Sequence, residues 1–235
     1  MAKALDALLA HPGLWRGSRI APVSTASIPT GFEHLDHELP GGGWPTGCLT
    51  EILTPGSGIG ELACLMPALA RLGAASRRQC WIAPPYLPYA PALAAAGIEC
   101  TQLVVVTPPD PRRDTLWALE QTLRANAFGA VLAWPAAGRT PKYAELRRLQ
   151  LATEACEVLA ILLRPIAALE EASPAALRIA LEPASHGRIA LRVVKRRGAV
   201  VDHPVLIDLS RPQAVGSRQP SRFAARGVPA RELVN

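Results

Sequence analysis

The 235-residue sequence predicts an α/β fold: a mainly parallel sheet flanked by helices, with antiparallel strands at its C-terminal edge. Three observations carry that prediction. Short apolar runs alternate with helical patterns from residue 48 to residue 163, the rhythm of strand–helix–strand units. Hydrophobic residues make up 49% of the chain and aromatics only 5%, which suits one sizeable aliphatic core. Finally, three further strand patterns follow without helices between them, as expected of antiparallel strands added to one edge.

The elements follow in order. Residues 4–9 have helical spacing, and a polar link reaches to about Ile28, so residues 1–24 read as an arm and linker. Residues 31–38 suit a short helix, and Gly41 to Gly43 with Pro45 mark a turn. Strands are expected at 48–53, 79–83, 102–106, 129–134 and 158–163. Helices are expected near 61–74, 88–96, 112–126 and 142–156. Pro67 complicates the first of these, because proline fits a helix's first turn but breaks its interior. That helix either bends at Pro67 or starts near Met66. The three late strands are expected at 177–182, 189–195 and 204–208. From Arg211 onward the chain is Pro-, Ser- and Arg-rich without apolar period, and is expected to be disordered on its own.

Charge is segregated. Residues 187–235 hold ten Lys/Arg against three Asp/Glu, a net of +7, whereas residues 1–186 hold fifteen against sixteen. A uniform solubility effect would not divide in this way, so the C-terminal fifth is expected to meet DNA or another acidic surface. Five cysteines in apolar surroundings, with no C-x-x-C pair, read as buried reduced thiols. No apolar run approaches 18 residues, so no membrane helix is expected. Asp6 and the lack of a long apolar stretch near the start argue against a secretory signal and for a cytoplasmic protein.

The most informative stretch is residues 51–62, E-I-L-T-P-G-S-G-I-G-E-L. An apolar strand running through a glycine-rich turn into a helical pattern is the setting of a phosphate-binding loop. Such a loop wraps phosphates with backbone N–H groups, neutralises them with Lys and holds Mg²⁺ with Ser or Thr. Gly56, Ser57, Gly58 and Gly60 supply the loop, but Glu61 stands at the Lys position and Leu62 at the Ser/Thr position. Two like unit charges at 4 Å repel by about 4 kcal/mol near a surface, so Glu61 should oppose a phosphate. A helix beginning at Met66 would also withdraw its partial positive charge from the loop.

The stretches I-P-T-G-F-E-H-L-D (28–36), G-G-G-W-P-T-G (41–47) and L-T-E-I (49–52) resemble the lead-in to the core of the RecA recombinases. The resemblance continues through W-I-A-P-P-Y-L-P-Y-A-P-A-L-A-A-A-G (81–97) and G-A-V-L-A-W (129–134), and spans residues 25–210. It implies a RecA-like domain whose chemistry is lost. Pro84 and Pro85 lie where such an ATPase carries its water-activating carboxylate, and Trp134 where the Mg²⁺-shell Asp closes the fourth strand. With L-R-R-L-Q-L-A-T-E-A (146–155) and V-V-K-R-R-G (193–198), the chain resembles the ImuA family of SulA-like, translesion DNA synthesis-associated proteins. That resemblance implies a non-catalytic, SOS-induced accessory factor with no cofactor and no metal, cytoplasmic and at the nucleoid during DNA damage. Its implied companions are ImuB, an error-prone C-family DNA polymerase and, less directly, RecA itself. Two rivals remain open: a SulA-like inhibitor of cell division, and a divergent RecA-like ATPase or DNA-binding module.

Lys195, Arg196 and Arg197 form the densest basic cluster and are expected to contact DNA or a partner, as are Arg218, Arg222 and Arg226 in the tail, where Phe223 lies among the arginines. An exposed strand edge protected by charge would look the same at Lys195. His34 and His37 have H-x-x-H spacing but no third ligand nearby in the sequence, so a polar helix surface is expected there. Arg147 and Arg148, beside apolar Leu146, Leu149 and Leu151, suit ion pairs on an exposed helix face. Trp81 and Trp134 are expected to pack at strand ends.

Overall fold

A computed structural model describes residues 26–198 and 201–210. The expected arm with its helix at 4–9, and the tail with Arg218, Arg222, Arg226 and Phe223, lie outside the described residues.

The chain opens with a two-stranded ribbon, β1 (Ser27–Ile28) against β2 (Trp44–Pro45), which brackets helix α1 (Glu33–Glu38). The start of α1 is held from outside. Asp36 Oδ1 accepts from the Thr30 amide at 2.7 Å, and Thr30 Oγ1 accepts from the Phe32 amide at 3.0 Å. Gly31 is required between them. Its φ is +87°, and an added Cβ would lie 2.4 Å from Pro67 Cβ, so this lead-in packs directly on the next helix.

Then come β3 (Cys48–Thr54), α2 (Met66–Ala74), β4 (Gln79–Ile82), α3 (Ala90–Ala95), β5 (Leu103–Val106), α4 (Pro111–Ala125), β6 (Ala130–Ala133), α5 (Tyr143–Glu154) and β7 (Leu159–Pro165). The strands β8 (Leu177–Pro183), β9 (Arg188–Lys195) and β10 (Val205–Asp208) complete one eight-stranded sheet in the order β10-β9-β8-β3-β7-β6-β4-β5. The six strands from β8 to β5 are mutually parallel, while β9 and β10 are antiparallel additions. All eight expected strands in this sheet are present. The first of the three late ones differs in pairing: β8 lies parallel to β3, because the segment after β7 carries the chain back across the sheet before β8 begins.

Central strands of such a sheet are buried on both faces and so read as continuous apolar runs. On one face Ile52, Trp81, Leu132 and Ile161 pack with Leu65, Leu69 and Leu72 of the α2 region and Leu93 of α3. On the other, Leu49, Ile82, Val131 and Leu162 pack with Leu116, Leu119 and Leu123 of α4 and Leu146 and Leu149 of α5. The alternation places the loop after β3 at the sheet's carboxyl edge, where open α/β sheets gather their ligands.

Candidate functional site

Strand β3 delivers the chain to the glycine-rich loop, and Thr54 fastens its first turn by donating from Oγ1 to the Gly56 carbonyl at 2.9 Å. Gly58 (φ +84°) and Gly60 (φ +103°) take the left-handed backbone that lets successive amides face one point. In a working phosphate loop that point holds a phosphate. Here it holds the side chain of Glu61. The Glu61 carboxylate accepts from the Gly58 amide at 2.9 and 3.1 Å and from the Ile59 amide at 3.0 Å, and the residue is only 7% exposed. The expected repulsion of phosphate is therefore half of the matter. The chain supplies its own anion to the nest, and the donors a phosphate would need are already in use.

The rest of the loop agrees with that reading. Leu62 is half-buried against the main core and presents no oxygen to a metal. The Cys64 thiol donates to the Glu61 carbonyl at 3.0 Å, and burial, with the Glu61 charge adding to it, pushes that thiol up to about 12. Helix α2 begins only at Met66, with Pro67 in its first turn and no side-chain cap at Leu65. Of the two arrangements that Pro67 allows, the structure takes the retracted one, so the helix N-terminus stands several residues beyond Gly60. Leu209, just past β10, closes over the loop. A Cβ on Gly60 would come within 2.2 Å of its Cδ1.

The carboxyl edge carries a second signature. Each of the six parallel strands ends in, or within two residues of, a proline: Pro55, Pro84, Pro108, Pro135, Pro165 and Pro183. Every proline removes a backbone donor from the rim that would face a ligand. Trp134 lies at the end of β6, its ring centroid 5.9 Å from that of Trp81 and tilted by 54°. The positions at which the RecA resemblance calls for carboxylates thus present prolines and an indole.

Strand β3 carries a buried ionic cluster that sequence reasoning misses. Glu51 of β3, with no exposed surface, accepts from Arg164 Nη1 of β7 at 3.1 Å, Arg178 Nε of β8 at 2.8 Å and Ser173 Oγ at 2.9 Å. Glu171 pairs with the other side of the Arg164 guanidinium. One signal for it exists in the sequence. L-T-E-I, L-L-R-P and L-R-I each set a single charge inside a strand that should be apolar on both faces, and buried charges of that kind must pair.

The three cations of the basic cluster differ in their surroundings. Lys195 Nζ donates to the Ser173 carbonyl at 2.7 Å, and burial lowers its pKa, with Arg178 lowering it further against a smaller opposite pull from Glu51. Arg196 donates to the Glu38 carbonyl of α1, and Arg197 is exposed. His34 and His37 line a small pocket with Glu38 and His203, although among the described residues no group of three or more His, Cys, Asp or Glu is arranged to hold a metal. Arg148 pairs with Glu120 at 3.4 Å across the α4–α5 face.

No protein-family model matches the chain, and no curated protein matches it.

Proposed function

We propose that this chain is a RecA-like accessory protein of the ImuA family. In this reading it acts without ATP chemistry in SOS-induced, error-prone translesion synthesis, beside ImuB and an error-prone C-family polymerase. The observation that carries the non-catalytic part is the Glu61 carboxylate seated on the Gly58 and Ile59 amides. A nest filled by the chain's own anion gives a nucleotide no place to bind through its phosphates, so the sheet is left to serve as a scaffold for contacts. The lead-in motifs at 28–47 and the glycine-rich turn after β3 support the RecA-like part, and the charge excess beyond residue 187 supports an acidic partner or DNA. RecA itself is a further candidate partner.

The test pairs a binding assay with a genetic one. Purified protein should bind purified ImuB, and deletion of its gene should lower damage-induced mutation while leaving undamaged growth unchanged. A chain that does neither is not an accessory of this pathway. Filamentation on overexpression would instead favour the cell-division inhibitor.

A further inference from the structure

Tyr86, Leu87 and Tyr89, in the loop between β4 and α3, are 75%, 89% and 71% exposed. Three large side chains this open within four residues is unlike the scattered exposure of single apolar residues that any surface shows. They are also held stiffly. Pro84, Pro85, Pro88 and Pro91 punctuate the segment, and Tyr89 is extended at φ −82° and ψ 101°. Leu87, preceding a proline, is restricted to extended backbone as well. Little conformational entropy is left to lose on binding. From Trp81 to Ile98 the chain carries no charge.

A few residues away in space lies a groove of about 580 Å³, lined by Val106, Pro108, Pro109, Trp117 and the Arg113–Asp114 pair. Trp117 is 64% exposed along it. Arg113 and Asp114 approach to 3.5 Å and offset each other, so the groove is near neutral and apolar, with an aromatic wall. Aromatic-lined grooves are what receive stiff proline-flanked segments. In the single chain the two halves do not meet, since none of residues 84–91 lines this groove.

We infer that the Pro84–Pro91 segment of one copy docks in the Trp117 groove of a second copy, reciprocally about a two-fold axis. The two surfaces are neighbours. Ile82 and Val106 pair in register, and the Ala83 amide donates to the Val106 carbonyl at 2.8 Å, so the segment leaves β4 beside the mouth of the groove. A two-fold axis passing there lets each segment reach the other copy's groove, and the contact forms twice. Three aromatic side chains and a leucine from each copy would bury roughly 600 Å² a side, against about 800 Å² for a standard interface. This inference stands on the surface alone and does not depend on what the phosphate loop binds.

Sedimentation of the full chain over micromolar concentrations tests it. The wild type should dimerise, and the dimer should persist in high salt, because the contact is apolar. Tyr86→Ala/Tyr89→Ala and Trp117→Ala should each raise the dissociation constant about a hundredfold, as loss of central aromatic anchors does. All three residues are exposed, so the fold should survive, as circular dichroism would verify. The decisive arm mixes the two variants. One intact segment then faces one intact groove, and the mixture should associate more tightly than either variant alone. A wild type monomeric throughout the range, a dimer that salt dissolves, or a mixture no tighter than its components would each overturn the proposal.

Discussion

Glu51 and Glu61 stand ten residues apart, one within β3 and the other just past its loop, and both are buried. Their partners differ in kind. Glu51 is held by two guanidinium groups and a hydroxyl deep between β3, β7 and β8, whereas Glu61 is held by backbone amides at the sheet's carboxyl edge. The first carboxylate is architecture, since it neutralises arginines that the surrounding strands have already taken out of water. The second sits on a pair of backbone amides of the kind that hold anions. A buried carboxylate by itself therefore says little about function; its meaning lies in whether its partners are side chains fixed by the sheet or amides that a ligand could claim.

The comparison predicts unequal costs. Glu51→Gln should be the more destabilising of the two carboxylate substitutions. Removing its charge leaves Arg178 buried with no carboxylate beside it and Arg164 with Glu171 alone, a loss of about 3–5 kcal/mol that urea denaturation would register. Replacing Glu51, Arg164 and Arg178 together by apolar residues of similar volume should recover most of it. A Glu51→Gln variant as stable as wild type would mean that the cluster is incidental.

Glu61→Ala should cost less, about 1–3 kcal/mol for the unmet amides of Gly58 and Ile59. Its signature is a gain that the Glu51 variant should not share. With the nest empty, millimolar sulfate should raise the variant's melting temperature more than the wild type's. Equal responses would show that Glu61 does not occupy the anion position in solution.

A smaller effect concerns pH. Burial pushes the Cys64 thiol up to about 12 and those of Cys48 and Cys80 to about 11, against 9.0 for an unperturbed thiol. The unfolded chain releases these protons from pH 9 upward while the folded chain keeps them. Their contribution to stability is thus complete below pH 9 and is lost as pH rises through 11 to 12. Cys64→Ala should flatten that alkaline loss. An unchanged slope of urea midpoint against pH would show that the wall behind Glu61 is wetter than the structure has it.

Much of this is legible in the chain. The apolar runs mark all eight strands of the main sheet to within a residue or two, the central parallel ones because they must be apolar on both faces and β9 and β10 through alternation. Pro67 leaves two arrangements open, a bend or a late start, and the structure takes the late start. What the chain does not disclose depends on partners distant in sequence. The β1–β2 ribbon has two residues a side, too few for any periodicity, and the parallel pairing of β8 with β3 joins segments more than 120 residues apart. The ionic cluster is visible only as three isolated charges, whose convergence needs the register of β3, β7 and β8. At Glu61 the sequence shows that a lysine is missing from the loop. It does not show the turn of that side chain back onto Gly58 and Ile59, because sequence gives the charge present and not where the side chain points.

The most direct measurement is titration of a fluorescent ATP analogue with Mg²⁺ into wild-type protein and Glu61→Ala, followed by anisotropy with hydrolysis read in parallel. With the nest filled by Glu61 and Leu62 unable to ligate Mg²⁺, the wild type should show no binding up to millimolar nucleotide and no hydrolysis. Tight, Mg²⁺-dependent binding by the wild type would contradict this, and would mean that the Glu61 carboxylate leaves its amides when a nucleotide arrives.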